Sequence, residues 1–123
     1  MRTRHVLVSG GSRGIGRAVA RHMIRTGETV TVTGRDAATL QEVVQAGDAH
    51  HYVVCDVTDD HAVVTACKKA VSQAGPVDVL VNNAGGSSSG RFGTMAVRDF
   101  VDAFQLNVLG AVRLCQSVLP GMV

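Results

Sequence analysis

Ser9-Gly10-Gly11-Ser12-Arg13-Gly14-Ile15-Gly16 is the stretch that decides the fold. An apolar run, residues 5–8, precedes it, and a segment with helical periodicity follows it, so it predicts a tight turn between a strand and a helix. Glycines at 10, 14 and 16 allow backbone dihedrals and a close ligand approach that a Cβ would prevent. The helix that follows presents unpaired N–H groups and its positive dipole end to an anion. We therefore predict a dinucleotide pyrophosphate site here.

The rest of the chain alternates strands with helices. Further strands are predicted over residues 29–33, 51–55 and 77–81; further helices over 37–45, through 63–71, and from about 96 to 119. Asp36 is expected to cap the second helix, and Gly75-Pro76 to end the third. This order predicts right-handed βαβ units and a doubly wound, Rossmann-type α/β fold with a parallel sheet in strand order 3-2-1-4. The ligand crevice would open above strands one and four.

Composition favours one globular domain, residues 1–123. The chain is 46% hydrophobic and 18% charged, with two prolines, which is typical of a folded core. A net charge of +2 with scattered arginines gives no basis for a nucleic-acid or membrane partner. No apolar run has membrane-spanning length and residues 1–9 lack signal-peptide features, so a cytoplasmic protein is expected. Cys55, Cys67 and Cys115 are expected to be buried, reduced thiols.

Three motifs resemble the short-chain dehydrogenase/reductase family. Ser9-Gly10-x-x-x-Gly14-x-Gly16 matches the family's Thr/Ser-Gly-x-x-x-Gly-x-Gly, Asn82-Asn83-Ala84-Gly85 its Asn-Asn-Ala-Gly, and Asp56-Val57 its acidic residue after strand three. The alternatives are a glycine-rich loop, a polar strand end and a carboxylate that leads a helix. The resemblance implies that the asparagine motif borders the adenine ribose and that Asp56-Val57 contacts adenine. The implied cofactor-binding residues are Ser9, Gly10, Ser12, Arg13, Gly14, Ile15, Gly16, Arg35, Asp56, Val57, Asn83, Ala84 and Gly85.

The end of strand two bears on which nicotinamide cofactor binds. An NAD enzyme usually places a carboxylate there for the ribose hydroxyls, whereas this strand ends in Thr33-Gly34-Arg35. Arg35 and Arg13 would flank a 2′-phosphate, as in NADP enzymes of the resembled family. We therefore expect NADP(H) rather than NAD(H). The alternative is that both arginines are solvated surface charges, and Asp36 would favour NAD(H) if it reached the ribose.

Asn107 lies inside the long last helix, where asparagine is unfavourable. The family resemblance implies that it is the asparagine of the catalytic tetrad, which bends the helix and holds a water in the proton relay. The family's catalytic Ser and Tyr-x-x-x-Lys have no match in this chain. Tyr52 is the only tyrosine and is followed four residues later by Asp56. We expect the front half of the fold, incomplete at the C-terminus and inactive alone.

The resemblance implies an NADPH-dependent reductase of a ketone or a 3-oxoacyl thioester, closest to the 3-oxoacyl-acyl-carrier-protein reductase type. Catalysis would need the missing C-terminal half or a second chain. The alternative is a non-catalytic NADP-binding module, or one piece of a split reductase. Strand four would be an apolar sheet edge, and the last helix is apolar around too much of its circumference for one buried stripe. A homo-oligomer through that helix is therefore expected.

Other candidate sites carry less chemistry. His50, His51 and His61 are predicted to be surface histidines, because neighbouring strand residues face opposite ways and no zinc spacing is present. No metal site is predicted. Ser87, Ser88 and Ser89 are interpreted as a flexible loop on the substrate side, since no matched base accompanies them.

Overall fold

A computed structural model describes residues 3–86 and 90–123 of the chain. Its strands form one parallel sheet in the order β3-β2-β1-β4, which confirms the predicted fold class and strand order. The strands are β1 (His5–Ser9), β2 (Thr29–Gly34), β3 (His51–Val54) and β4 (Val79–Val81). Val6 of β1 is paired with Val30 of β2 on one side and with Val79 of β4 on the other. The carboxyl ends of β1, β2 and β4 therefore meet at one edge of the sheet.

The helices begin and end where short-range chemistry favours it. They are α1 (Gly14–Arg25), α2 (Ala37–Gln45), α3 (Asp60–Ala74), α4 (Val97–Phe104) and α5 (Gly110–Met122). Asp36 caps α2 as predicted, accepting from the amide of Ala38 at 2.9 Å. Asp59 caps α3 in the same way through Ala62 at 3.0 Å, which leaves Asp56 outside the cap. Gly75 ends α3 with φ of 85°, a dihedral that favours glycine.

Two apolar clusters fill the space between the sheet and its helices. Alternate residues of β1 point to opposite faces, so Val6 and Val8 join the cluster under α1 and α2, while Leu7 joins the cluster under α3 and α5. All five residues of β1 are buried. Because β1 is covered on both faces, the turn that follows it rises from the most rigid part of the sheet.

The last helical region differs from the single helix expected over residues 96–119. A π-helical segment, Gln105–Leu109, separates α4 from α5, and α5 continues through Pro120 to Met122. The fourth strand is also shorter than expected and begins at Val79. Asp78, just before it, already exchanges two bonds with the backbone of His5: its carboxylate accepts from the His5 amide at 2.7 Å and its amide donates to the His5 carbonyl at 2.8 Å.

Side-chain burial in this region also corrects one prediction. Cys55 and Cys67 are buried free thiols, as expected, but Cys115 is exposed. It lies beside the edge strand β4, where its Sγ accepts from the side-chain amide of Asn82 at 3.4 Å. None of the α4 side chains is buried, and Phe100 and Phe104 are 42% and 55% exposed. Within residues 3–86 and 90–123, no helix combines the length and the apolar character needed to cross a membrane.

Candidate functional site

A cleft of about 570 Å³ opens above the carboxyl ends of β1, β2 and β4. Its lining includes nine of the predicted cofactor-binding residues: Ser9, Gly10, Ser12, Arg13, Arg35, Val57, Asn83, Ala84 and Gly85. The lining does not include the other four predicted residues, Gly14, Ile15, Gly16 and Asp56. Each of them lies within two positions in the sequence of a residue that lines the cleft. The lining also contains Arg17, Thr33, Thr39, Glu42 and Leu106, which the motifs did not indicate. The crevice predicted at strands one and four is thus present, and it extends over β2.

Ser9 ties the glycine turn to the end of β4. Its buried hydroxyl oxygen accepts from the amides of Asn83 at 3.0 Å and Ala84 at 2.9 Å, and the hydroxyl donates to the carbonyl of Val81 at 3.3 Å. The Asn83 side-chain amide donates in return to the carbonyl of Gly10 at 3.1 Å. The glycine turn and the asparagine motif, more than seventy residues apart, therefore form one hydrogen-bonded unit.

The turn itself requires glycine at several positions. Gly10 and Gly14 have φ of 66° and 60°, which disfavours residues with a Cβ. A Cβ on Gly16 would overlap the Gly10 carbonyl oxygen and lie 2.5 Å from Nδ2 of Asn83. Gly16 therefore allows α1 to pack against the asparagine motif.

The start of α1 is suited to bind an anion. The residue before the helix, Arg13, makes no side-chain capping bond, and the first turn contains no acidic residue. The first N–H groups and the positive end of the helix dipole therefore lack a compensating carboxylate. Ile15, in the same turn, is 76% exposed, so its side chain is also accessible to a ligand.

Charged groups are concentrated at the β2 side of the cleft. Arg13, Arg17 and Arg35 line it together with Asp36 and Glu42. One carboxylate oxygen of Asp36 is used to cap α2, and Arg17 donates to the carboxylate of Asp48 at 2.8 Å. Arg13 and Arg35 are both exposed and are free of ion pairs within the described part of the chain.

The turn after β3 contributes another part of the cleft lining. The Asp56 carboxylate accepts from the amide of Thr58 at 3.0 Å and from its hydroxyl at 2.7 Å. These bonds, followed by the charges of Arg35 and Arg113, hold the pKa of Asp56 below its ordinary value. Val57 turns its side chain inward, is 5% exposed, and lines the cleft. Asp56 is thus ionised at neutral pH and rigidly held beside the cleft rather than in it.

Asn107 joins the π-helical segment to the asparagine motif. Its side-chain amide donates to the carbonyls of Gly86 at 2.7 Å and Ala103 at 2.9 Å, and its Oδ1 accepts from the Gly86 amide at 3.0 Å. A Cβ on Gly85 would lie 2.5 Å from this Oδ1. The helix is irregular at Asn107, in line with the expected bend, while its predicted role in holding a water stays a prediction.

Two polar side chains in the lining of the cleft are buried, those of Thr33 and Cys55. The buried Thr33 hydroxyl interacts with the Cys55 thiol. Cys55 also lines the cleft, but burial raises its pKa to about 11. It is therefore a protonated thiol at neutral pH and not a nucleophile.

The remaining sequence candidates lie away from this chemistry. His50 Nδ1 accepts from the Val30 amide at 3.0 Å, which gives this ring a structural role. No group of three or more His, Cys, Asp or Glu side chains that could hold a metal is found in residues 3–86 and 90–123. The serine loop at Ser87, Ser88 and Ser89 lies outside the described residues.

Comparison with known proteins gives consistent matches. A family model described as short chain dehydrogenase matches residues 4–123. The 3-oxoacyl-acyl-carrier-protein reductase MabA of Mycobacterium avium is 38% identical over 120 residues, an alignment that covers 98% of this chain and 44% of that protein. A short-chain dehydrogenase from Streptomyces avermitilis has a TM-score of 0.89 at 36% identity, covering 98% of this chain and 45% of the other.

A variant of actinorhodin polyketide ketoreductase, solved with NADPH, has a TM-score of 0.87 at 33% identity. The alignment covers 98% of this chain and 48% of that one. The chain therefore spans less than half the length of each of these three proteins.

Proposed function

The chain belongs to the short-chain dehydrogenase family, and on this premise we propose that residues 1–123 form the NADPH-binding part of a carbonyl reductase. The observation that carries the proposal is the composition of the cleft. The glycine turn before the uncapped start of α1 and two arginines, Arg13 and Arg35, contribute to its lining, and β2 ends in Gly34 where an NAD enzyme would carry an acid.

The residues present fit the cofactor in three places. The amides at the start of α1 would hold the pyrophosphate, Val57 and the neighbouring Asp56 the adenine, and Arg13 with Arg35 a 2′-phosphate. Each charge-assisted hydrogen bond to that phosphate contributes about 1.5–3 kcal/mol. One such bond suffices for a preference of roughly tenfold for NADPH over NADH. Similarity to a ketoreductase solved with NADPH supports the same choice.

The substrate class proposed is a ketone or a 3-oxoacyl thioester, by analogy with the MabA reductase and the polyketide ketoreductase. Bound NADPH supplies the hydride; the carbonyl oxygen then needs a proton donor. The single tyrosine, Tyr52, lies on β3, and its hydroxyl accepts from the Gln41 side chain at 3.0 Å. It is not the tyrosine of a Tyr-x-x-x-Lys motif, so the proton would come from residues outside 1–123.

The second candidate function is a non-catalytic NADP-binding module, or one piece of a split reductase. This candidate is favoured because no Tyr-x-x-x-Lys motif occurs in residues 1–123. Under either proposal, the exposed apolar residues of α4 and α5 would be covered by a second copy or by the remaining part of the fold. Phe100 of α4 belongs to that surface, and its ring packs edge to face against that of Phe92, before α4, with 5.6 Å between the ring centroids.

Calorimetric titration of the 123-residue chain with NADPH and NADH tests the proposal. We expect NADPH to bind about tenfold or more tightly. Arg35→Gln and Arg13→Gln should each remove most of this preference by weakening NADPH alone. Arg98→Gln serves as the matched control, because the Arg98 side chain on α4 is 79% exposed and pairs with Asp102, and Arg98 does not line the cleft. Equal affinity for the two cofactors in the unaltered chain would reject NADPH specificity.

Turnover tests the absence of a proton donor from residues 1–123, on which both candidate functions rest. The chain is mixed with NADPH and a 3-oxoacyl thioester, and the loss of absorbance at 340 nm is followed. Binding without turnover supports a cofactor-binding part that lacks its proton donor. Turnover by this chain alone would show that residues 1–123 supply the donor and would exclude the non-catalytic module.

A further inference from the structure

Arg113 of α5 joins three segments through one guanidinium group. Nη1 donates to the carbonyl oxygen of Val57 at 3.1 Å, Nη2 donates to Oε1 of Gln105 at 2.8 Å, and Nε donates to the carboxylate of Asp60. The acceptors belong to the turn after β3, the start of the π-helical segment and the start of α3 respectively. No sequence motif singled out this residue.

The environment of Arg113 distinguishes it from a surface ion pair. Its side chain is 17% exposed, although that of Asp60 is 86% exposed. An exposed ion pair of this kind contributes little to stability. The hydrogen bonds to Val57 and Gln105, which are partly buried, therefore matter more. A planar guanidinium can donate in several fixed directions at once, which a lysine ammonium on a single atom cannot reproduce.

The two protected acceptors each belong to a segment of the candidate site. Val57 lines the cleft on the wall assigned to adenine. Gln105 lies two residues before Asn107, whose side chain holds both backbone groups of Gly86. Arg113 therefore connects the adenine wall to the segment that supports the end of the asparagine motif, although it does not line the cleft itself.

Packing beside Arg113 reinforces the same connection. A Cβ added to Gly110, the first residue of α5, would lie 2.6 Å from Cγ2 of Val57. The absence of a side chain there lets α5 approach the turn closely enough for Arg113 to reach the Val57 carbonyl. The distance between the turn and α5 is thus set by one close backbone approach and one hydrogen bond.

We propose that Arg113 is a positioning residue for the adenosine end of the cofactor. It fixes the Val57 wall and the π-helical segment relative to each other, and it acts on the cofactor only through them. This inference rests on the proposed function, because the wall matters only if a dinucleotide binds in the cleft. Its loss should weaken the adenosine contacts without removing a phosphate contact.

The test compares Arg113→Gln and Arg113→Lys with the unaltered chain, using calorimetry with NADPH and with adenosine 2′,5′-bisphosphate. Both variants should raise the Kd for each ligand about tenfold, the effect of losing one hydrogen bond to a charged group. Arg113→Lys keeps the positive charge beside Asp60 but cannot donate to several acceptors in fixed directions. If it binds as weakly as Arg113→Gln, the effect is due to the lost hydrogen bonds and not to the charge. Arg98→Gln again serves as the control and should leave both affinities unchanged.

Amide hydrogen exchange without ligand supplies the readout that a general loss of stability would not reproduce. The Thr58 amide, bonded to Asp56, and the Gly86 amide, bonded to Asn107, should exchange about tenfold faster in both variants, because local opening is measured separately from global unfolding. The amides of the β1–β2 ladder should keep their protection.

Unchanged affinity and unchanged exchange would overturn the inference, and so would uniformly faster exchange across the sheet. If the unaltered chain binds neither ligand, the proposed function fails and the assigned role of Arg113 fails with it. The exchange data would then still show whether Arg113 holds the two segments together.

Discussion

Ser9→Ala is the most direct test of how the glycine turn is held. The substitution removes one oxygen that accepts from the Asn83 and Ala84 amides, at 3.0 and 2.9 Å. Leaving a buried donor unsatisfied costs about 1–3 kcal/mol. Both amides are only partly buried, so water would satisfy some of the loss and the low end of the summed range of about 2–6 kcal/mol applies. We expect about 2–3 kcal/mol, a large share of the stability of a domain of this size.

Thermal and urea unfolding measure this loss. An unfolding entropy of about 2.1 cal/mol/K per residue makes each kcal/mol worth about 4 °C for a chain of this length. Ser9→Ala should therefore lower Tm by roughly 8–12 °C. Ser9→Thr is the matched control, since it keeps the hydroxyl and since the resembled motif has Thr or Ser here. A loss below about 0.5 kcal/mol in Ser9→Ala, the range of an ordinary surface substitution, would refute the claim that this hydroxyl joins β1 to β4.

Two further predictions concern the turn and the opposite end of the sheet. Gly16→Ala should abolish detectable NADPH binding in calorimetry and destabilise the chain by at least about 2 kcal/mol, because the new Cβ overlaps the Gly10 carbonyl. Gly93→Ala is the control and should change neither quantity, since the space around Gly93 is open. Normal binding and stability in Gly16→Ala would contradict the close packing of α1 against the glycine turn. Burial lowers the pKa of His5, whose ring nitrogens contact Gly75 O and Thr31 Oγ1 at 2.8 Å each. Below about pH 6.5 the unfolded chain therefore binds more protons than the folded one, so the free energy of unfolding should fall as pH drops from 7.5 to 5. His5→Gln should flatten this dependence; an unchanged slope in His5→Gln would assign the effect elsewhere.

The sequence was sufficient for the features that depend on short-range chemistry. Runs of β-branched residues predicted the strands, and Asp36 and Gly75 predicted helix ends, because each acts on neighbours within a few positions. The burial of Cys115 was predicted wrongly, since an apolar neighbourhood in sequence does not reveal which side chains of α5 are covered. The sequence indicated the π-helical segment only through Asn107, an asparagine inside a predicted helix. The geometry of this segment depends on the Asn107 contact with Gly86, twenty-one residues away.

The contacts missed from the sequence are those between segments that are distant in the chain. Ser9 matched a motif, but its bonds to Asn83 and Ala84 exist only because β4 is paired with β1. Arg113 matched nothing, since its acceptors lie 56, 53 and 8 residues away. A motif identifies residues that a ligand requires, whereas the residues that hold the motif in place depend on the packing of this particular chain.

The proposed function divides cofactor binding and chemistry between different parts of the chain. The glycine turn, the arginines of the β2 side and the Val57 wall are all supplied by residues up to 57, and Ser9 and Asn83 connect them to β4. The predicted catalytic residue among the described residues is Asn107, and every polar atom of its side chain is engaged with the backbone of Gly86 or Ala103. Cofactor affinity should therefore be a property of the described residues, because the binding groups are positioned by hydrogen bonds within them, including those of Arg113 to Val57 and Gln105. Proton transfer requires a donor at the carbonyl oxygen, which under the proposed function would come from outside residues 1–123.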